Sequence, residues 1–246
     1  MDDLFALTGK IALITGGSRG LGLEMVRAFA HAGADIIVVS RKLDACEAAA
    51  AQVRQLGRRA IAISANASVW NEMSQLAETA YEAFGRIDIL VNNAGMSPAI
   101  ASHDITEAMF DKIVSLNFKG PFRLASLVAA RMQAGEGGAI INTSSTAAFA
   151  PMPNVVAYAA AKAALNSMTV SLAREYGPKV RVNAISAGPF LTDISKAWRP
   201  EEREIAPNSV GRPGRPEEIV TTALYLASPA SSFVTGAIVR CDGGLN

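Results

Sequence analysis

Short apolar segments rich in β-branched residues alternate with longer segments of helical periodicity along the whole chain. The short segments predict seven strands: Ile11–Thr15, Asp35–Ser40, Ala60–Ser64, Ile87–Asn92, Ala139–Thr143, Val180–Ile185 and Ile238–Cys241. The longer segments predict helices: Leu21–Ala32, Leu43–Leu56, Val69–Phe84, Glu107–Ala134, Val155–Tyr176 and Pro216–Leu226. Near-continuous apolar strands alternating with helices are typical of a parallel sheet covered on both faces. The pattern therefore predicts an α/β fold with a doubly wound, seven-stranded parallel sheet, and ligands beyond the carboxyl ends of its strands.

The chain is predicted to form a single domain, 1–246, because no linker, internal repeat or low-complexity tract divides it. One segment, 190–216, breaks the strand–helix rhythm with three prolines and many charged residues. A long insertion at the carboxyl edge of such a sheet is often a lid over the ligand, so we expect a substrate lid there. The alternative is a surface loop that is disordered before ligand binds.

Composition excludes several classes of protein. The net charge is +1 and half of the residues are apolar, which indicates neither a nucleic-acid footprint nor a membrane-binding surface. No apolar run reaches the ~18 residues of a membrane span, and MDDLFALTGK does not resemble a secretory signal. The two cysteines, Cys46 and Cys241, are far apart and in no metal-ligand spacing, and His31 and His103 do not pair with each other or with a cysteine cluster. We expect a cytoplasmic protein without a metal site.

A glycine-rich turn follows the first predicted strand and precedes the first predicted helix, in the sequence TGGSRGLG. Glycines allow a tight turn and close approach to a pyrophosphate, and the helix N-terminus offers free N–H groups. The context on both sides makes this a strong dinucleotide signal. The predicted cofactor contacts here are Gly16, Ser18, Arg19, Gly20, Leu21 and Gly22.

The end of the second strand predicts which dinucleotide is bound. An NAD-selective fold places an acidic residue there for the ribose 2′-hydroxyl, but this chain has Ser40 and Arg41. Arg41 can neutralise a 2′-phosphate, and Arg19 in the glycine turn is expected on the same side. The sequence therefore favours NADP (NADPH) over NAD. The alternative is that Arg41 is a solvated residue at a strand end.

Candidate catalytic groups lie in and before the sequence YAAAK. Tyr158 and Lys162 are one helical turn apart and share a helix face. A free tyrosine has a pKa near ~10, and a neighbouring ammonium is expected to lower that pKa towards the working range of a general acid or base. Ser145, thirteen residues before Tyr158, supplies a hydroxyl that can orient a substrate.

Taken together, these motifs resemble the short-chain dehydrogenase/reductase family in its single-domain branch, over essentially the whole chain. NNAG at 92–95, SLNFKGPF around Asn117, and GRPGRPEEI and FVTGAIVRCDGG near the end also match the family pattern. The resemblance implies a Rossmann fold and an oxidoreductase that moves hydride between NADP and a ketone or secondary alcohol. It also implies that Ser145 binds the substrate oxygen, Tyr158 exchanges the proton and Lys162 holds the ribose. The implied catalytic set is Asn117, Ser145, Tyr158 and Lys162.

The resemblance also implies the remaining cofactor contacts, which are Asn66, Ala67, Asn93, Ala94, Gly95, Tyr158, Lys162, Gly188 and Thr192. Asn93 is expected to support the pocket rather than react, and the thirteen-residue spacing favours Ser145 over its neighbour Ser144. Two positions depart from the family pattern. Asn66 stands where the family often has an aspartate facing adenine, and keeps a carbonyl acceptor. Ala187 replaces the usual proline before Gly188, which is expected to loosen that loop.

Small apolar residues surround the first turns of the predicted helix Val155–Tyr176, which therefore needs burial on both sides. The resemblance implies that this helix and Glu107–Ala134 pair with their copies in a homodimer, and often in a homotetramer. The alternative is alanine chosen for helix propensity alone.

The substrate is not specified by a motif. The chain resembles both 3-oxoacyl-acyl-carrier-protein reductases and sugar or polyol dehydrogenases, and selectivity is expected to lie in 98–104 and in the lid. An acidic carrier would require basic residues, and Lys196, Arg199, Arg203, Arg212 and Arg215 are interleaved with acids. From another class, a non-catalytic NADP-binding regulatory protein would share the fold, although it would not need the catalytic set.

Overall fold

The computed structural model describes residues 4–193, 195 and 198–245. Seven parallel strands form one sheet in the order β3-β2-β1-β4-β5-β6-β7. The strands are β1 Ile11–Thr15, β2 Asp35–Ser40, β3 Ala60–Ser64, β4 Ile89–Asn92, β5 Gly138–Ser145, β6 Val180–Ala187 and β7 Ile238–Cys241. The chain moves outward from β1 to β3 and returns beside β1 with β4, so the topological switch lies between β1 and β4. The predicted doubly wound sheet is confirmed.

Helices cover both faces of the sheet: α1 Gly20–His31, α2 Leu43–Gln55, α3 Trp70–Phe84, α4 Glu107–Val114, α5 Gly120–Ala134, α6 Val156–Glu175 and α7 Val220–Ala227. Successive strand side chains point to opposite faces, so Ile14 packs under α1, α2 and α7 while Leu13 packs under α3, α5 and α6. Both side chains are fully buried. Two apolar layers therefore hold the sheet rigid and fix the positions of its strand ends.

The predicted helix Glu107–Ala134 is not continuous. A π-helical turn, Ser115–Lys119, separates α4 from α5. Pro121 has no N–H to donate to the carbonyl four residues earlier, which disfavours an unbroken α-helical ladder at this point. Within the turn, the side chain of Asn117 donates from Nδ2 to the Ile113 carbonyl at 2.9 Å. π-turns of this kind are frequent at functional sites.

Other boundaries differ from the predictions by a few residues. β5 continues to Ser145 and β6 to Ala187, because Ser144 pairs with Ser186 and Ser145 with Ala187 in the parallel ladder. β4 begins at Ile89 rather than Ile87. The predicted helix Pro216–Leu226 begins with a 3-10 turn, Pro216–Ile219, before α7.

Within the described ranges, no helix combines the length and apolarity needed to cross a bilayer. Among the same residues, no group of three or more histidine, cysteine or acidic side chains could hold a metal ion. Cys46 is buried, Cys241 is half-buried, and both thiols are free.

Candidate active site

The predicted site residues gather at one edge of the sheet, where parallel strands end together. The β1–α1 turn carries Gly16, Ser18, Arg19, Gly20, Leu21 and Gly22. The ends of the next strands carry Ser40, Arg41, Asn66, Ala67, Asn93, Ala94, Gly95, Ser145, Gly188 and Thr192. Asn117 in the π-turn and Tyr158 and Lys162 on α6 complete the set. This edge contains the switch point between β1 and β4, where folds of this type bind ligands.

The glycine turn has the geometry of a phosphate cradle. Gly16 has φ +66°, and a Cβ on Gly22 would lie 2.2 Å from the Gly16 carbonyl oxygen, so a side chain at Gly22 would clash with the turn. Arg19 caps α1 with extended backbone and makes no side-chain capping bond to the first turn. These helix N–H groups face the turn without a capping side chain, and such groups together with the helix dipole suit a pyrophosphate. The residues present therefore fit a dinucleotide.

Asn93 clamps this turn to the end of β4. Its Nδ2 donates to the Thr15 carbonyl at 3.1 Å and to the Gly16 carbonyl at 3.4 Å. Its backbone N–H donates to Thr15 Oγ1 at 3.0 Å, and its Oδ1 accepts from Thr143 Oγ1 at 3.4 Å. Both polar atoms of the Asn93 side chain are therefore hydrogen-bonded within the protein.

The two arginines of the adenosine end are in different situations. Arg41 is exposed, and its carbonyl accepts from Ser64 Oγ at 3.1 Å. Arg19 is ion-paired, with Nη1 2.9 Å from an oxygen of Asp193. The sequence predicted that Arg19 and Arg41 lie on the same side of the site, at one ribose. It did not predict the acidic partner of Arg19. The ion pair could not be predicted from the sequence, because Asp193 is far from Arg19 along the chain and follows β6, on the other side of the switch point.

Ser40 and Asn66, both predicted to contact the cofactor, make local hydrogen bonds. Ser40 Oγ lies 3.0 Å from the sulfur of buried Cys46. Asn66 Oδ1 accepts from the backbone N–H of Ser68 at 3.2 Å and from its hydroxyl at 2.8 Å. The carbonyl expected to face adenine is therefore committed to Ser68, a local bond that asparagine commonly forms. The amide Nδ2 of Asn66 is the group left to face a base.

The serine–tyrosine–lysine group forms where β5 ends against α6. Ser145 Oγ accepts from the Ala147 N–H at 3.2 Å and lies close enough to the Tyr158 hydroxyl to influence the pKa of that group. The neighbouring Ser144 is buried and donates to Asn166 Oδ1 at 2.6 Å, so the structure leaves Ser145 as the serine at the tyrosine. Lys162 is buried, with Nζ 2.7 Å from the Thr143 carbonyl and 5.7 Å from the centre of the Tyr158 ring.

Burial dominates the protonation of this group. It raises the pKa of Tyr158, although the neighbouring Ser145 side chain acts in the opposite direction. It lowers the pKa of Lys162 to about 7. The prediction that the Lys162 ammonium lowers the pKa of Tyr158 is wrong for this structure. Lys162 lies over the aromatic ring and bonds to the backbone, and burial disfavours the charged form of both groups.

Asn117 joins the π-turn to this group. Its Nδ2 donates to the carbonyls of Met96 and Ile113, both at 2.9 Å. Its Oδ1 is buried and has no hydrogen-bond partner among the described residues. A Cβ on Gly95 would lie 2.9 Å from this oxygen and 3.7 Å from Lys162 Nζ. The side chain of Asn117 therefore fixes the π-turn.

An apolar pocket of about 240 Å³ ends at Tyr158. Its walls are Pro98, Ile100, Ser102, Ile105, Phe110, Ile113, Asn154, Val155, Val156 and Ala157. Three of these lie in 98–104, where the sequence analysis expected selectivity. Phe110 and Ile113 of α4 and the residues just before Tyr158 were missed. Their apolar character next to a catalytic candidate was the available signal.

Known proteins share this architecture. Residues 10–203 match the family model described as short chain dehydrogenase. The 7α-hydroxysteroid dehydrogenase of Escherichia coli K12 is 37% identical over 246 residues, covering 98% of this chain and 96% of that protein. The 3-oxoacyl-[acyl-carrier-protein] reductase of Thermotoga maritima is 33% identical over 242 residues, covering 97% and 98%.

A solved structure extends the comparison to the fold. The structure of 7α-hydroxysteroid dehydrogenase complexed with NADH and 7-oxo glycochenodeoxycholic acid has a TM-score of 0.94 and 36% identity, covering 99% of this chain and 97% of that chain. The likeness in sequence and in fold spans the glycine turn, the π-turn and α6 alike. This chain therefore belongs to the short-chain dehydrogenase/reductase family and is an NAD(P)-dependent oxidoreductase acting on CH–OH and C=O groups.

Proposed function

We propose that this chain is an NADP-dependent oxidoreductase of apolar ketones and the corresponding secondary alcohols, with 3-oxoacyl thioesters as its first substrate class. The observation that carries the proposal is that Tyr158, with Ser145 beside it, lines an apolar pocket. A sugar or polyol would place hydroxyl groups against Ile100, Ile105 and Val155, where a lost hydrogen bond costs free energy. The pocket therefore favours an apolar chain or ring over the polyol alternative.

Each catalytic candidate has a distinct task in this proposal. The bound cofactor supplies the hydride in reduction and accepts it in oxidation. Ser145 donates a hydrogen bond to the substrate oxygen and orients the reacting carbon. Tyr158 gives its phenolic proton to that oxygen as negative charge develops, and takes a proton from the alcohol in the reverse direction. Lys162 holds the ribose hydroxyls, and Asn117 positions Lys162 and the π-turn.

The cofactor preference rests on the adenosine end. Arg41 is exposed next to Ser40, and no acid stands at the end of β2 to bind a ribose 2′-hydroxyl. A guanidinium there suits a 2′-phosphate. The glycine turn, Asn66, Ala67, Ala94, Gly95, Gly188 and Thr192 provide the remaining proposed contacts.

The proposal also covers the domain organisation of the chain, its oligomeric state and its location in the cell. The chain acts as one domain, 1–246, with the segment 190–216 as a substrate lid. Within this lid Ile194, Lys196 and Ala197 lie outside the described residues. The protein assembles as a homodimer or homotetramer and works in the cytoplasm, an assignment supported by its two free cysteines.

The charges of the lid bear on carrier recognition. Arg199 pairs with Glu202 at 2.8 Å, and Arg212 and Arg215 both pair with Glu218, at 2.7 Å and 3.2 Å. Arg199 is thus paired with an acid of the same segment, and Arg212 and Arg215 share Glu218 just beyond it. We therefore propose that a thioester without its acidic carrier is a sufficient substrate.

The test follows the absorbance of the reduced nicotinamide with 3-oxoacyl thioesters, a 7-oxo bile acid and a keto-gluconate. We expect higher kcat/KM for the thioesters than for the gluconate with NADPH. Tyr158→Phe should lose about 10²- to 10⁴-fold in kcat while its Kd for NADPH, measured by fluorescence, stays unchanged. Faster turnover of the gluconate would overturn the substrate class, and NADPH binding without any turnover would favour the regulatory alternative.

A further inference from the structure

The segment after β6 lies directly on the glycine turn. A Cβ on Gly20 would be 3.5 Å from Thr192 Cβ, which is ordinary van der Waals contact. The next residue, Asp193, holds Arg19 through an ion pair of 2.9 Å. The cation of the glycine turn is thus already bound to an acid contributed by the opposite half of the sheet.

The partner of Arg19 is an anion of the kind that a 2′-phosphate would replace. A guanidinium presents the same planar set of donors to a carboxylate and to a phosphate. The Arg19 side chain is 67% exposed and that of Asp193 is 36% exposed. Exposed ion pairs are weak, worth at most about a fivefold change in an equilibrium constant, so a more highly charged phosphate can displace this carboxylate.

We propose that Asp193 is a specificity-determining residue, whose carboxylate competes with the 2′-phosphate of NADP for Arg19 and limits the preference for NADP over NAD. This inference rests on the proposed function, in which Arg19 lies at the adenosine end. NAD carries a hydroxyl at the 2′ position, so its binding does not require Arg19 to leave Asp193.

The test is the nearly isosteric change Asp193→Asn, with Kd for NADP⁺ and NAD⁺ measured by isothermal titration calorimetry. We expect the Kd for NADP⁺ to fall about three- to fivefold and the Kd for NAD⁺ to change by less than about twofold. The gain should shrink as salt is raised. Glu201→Gln is the matched control, because it removes the same charge from an acid of the same segment that pairs with Arg199 instead. That variant should leave the ratio of the two constants unchanged.

A second variant tests the route of the effect. In an Arg19→Gln background, Asp193→Asn should no longer improve NADP⁺ binding selectively, because the contested guanidinium is gone. Equal changes for both cofactors in the Asp193→Asn protein would overturn the inference. A selective gain of the same size without Arg19 would overturn it too.

These outcomes separate the inference from the proposed function. A tighter Kd for NAD⁺ than for NADP⁺ in the unmodified protein would overturn the proposed cofactor preference. A selective NADP⁺ gain in Asp193→Asn would still support the role of Asp193 in that case. An unchanged Kd for NAD⁺ also shows that the variant has kept its folded binding site.

Discussion

Lys162 is the residue whose burial conflicts most with its charge. Its side chain is buried between β5 and α6, and the Thr143 carbonyl is its hydrogen-bond acceptor. Desolvation lowers its pKa from 10.5 to about 7. The folded protein therefore holds this proton less tightly than the unfolded chain does, and the cost of the buried ammonium is fully present below pH 7.

This conflict predicts a pH-dependent stability. Between pH 7 and pH 10.5 the unfolded chain carries more protons at Lys162 than the folded one, so the free energy of unfolding rises with pH. The gain attributable to Lys162 is roughly 2 kcal/mol between pH 7 and pH 9. Lys162→Met should lose this gain in urea denaturation at the two pH values. Identical pH dependence in both proteins would contradict the lowered pKa.

Asn154 has a left-handed backbone conformation and lies in the wall of the apolar pocket beside Tyr158. It has φ +65°, a conformation that asparagine tolerates and β-branched residues do not, and its carbonyl accepts from the Ile100 N–H at 2.7 Å. That bond ties the β4–α4 connection to the residues before α6. Asn154 thereby joins two walls of the pocket.

We therefore expect two substitutions at Asn154 to differ in their effect on stability. Asn154→Val should lower the free energy of unfolding by about 1–3 kcal/mol and raise KM, because valine resists this backbone conformation. Asn154→Gly should stay within a few tenths of a kcal/mol, since glycine adopts it freely. Denaturant titration and steady-state kinetics on both variants provide the measurement. A valine variant as stable as the glycine variant would rule out a role for the backbone conformation.

For individual residues, the sequence predicts which side chains come together better than it predicts their protonation states. The spacing of Ser145, Tyr158 and Lys162 was enough to bring them together. The direction of the tyrosine pKa was wrong because it depends on burial, which the spacing does not report. The Arg19–Asp193 pair was missed for a related reason, since it forms only when β1 and β6 are placed in one sheet.

Among the elements, the π-turn links the fold to the site. Asn117 Nδ2 bonds to one carbonyl of α4 and to Met96 in the loop after β4. Hydrophobic periodicity predicted one helix through this region, because one shifted turn barely alters an apolar stripe. Pro121 was the local signal that the ladder changes.

The π-turn should therefore be more sensitive than the start of α4. Asn117→Ala leaves two carbonyls without their donor, and we expect a loss of about 2–4 kcal/mol in the free energy of unfolding. Thr106→Ala, which removes the N-cap bond to Met109 at the exposed start of α4, should cost about 1 kcal/mol. Urea denaturation of both variants compares them directly. Equal losses would show that the Asn117 bonds add nothing to the stability of the turn.

In the whole molecule, the sheet brings segments that are distant in the sequence together at one edge. The doubly wound parallel sheet could be predicted from strand–helix alternation, whereas the strand order and the contacts across the edge required the assembled sheet. One face of α6 packs on that sheet, and its outer face exposes the small residues Ala160, Ala163, Ser167 and Ser171. Small residues allow another helix to approach closely, so this face suits the self-association that we propose.

Introducing a long charged side chain on this face should prevent association. Ser167→Arg places a guanidinium where two copies of α6 would meet, and burying an unpaired charge costs several kcal/mol, so we expect a monomer by light scattering at micromolar concentration. Gln55→Arg adds the same charge at the exposed end of α2, and this control should keep the mass of the unmodified protein. A monomeric unmodified protein would remove the proposed oligomer altogether. An oligomer that persists in Ser167→Arg would show that the interface lies on another surface, because this face of α6 would then not be buried in it.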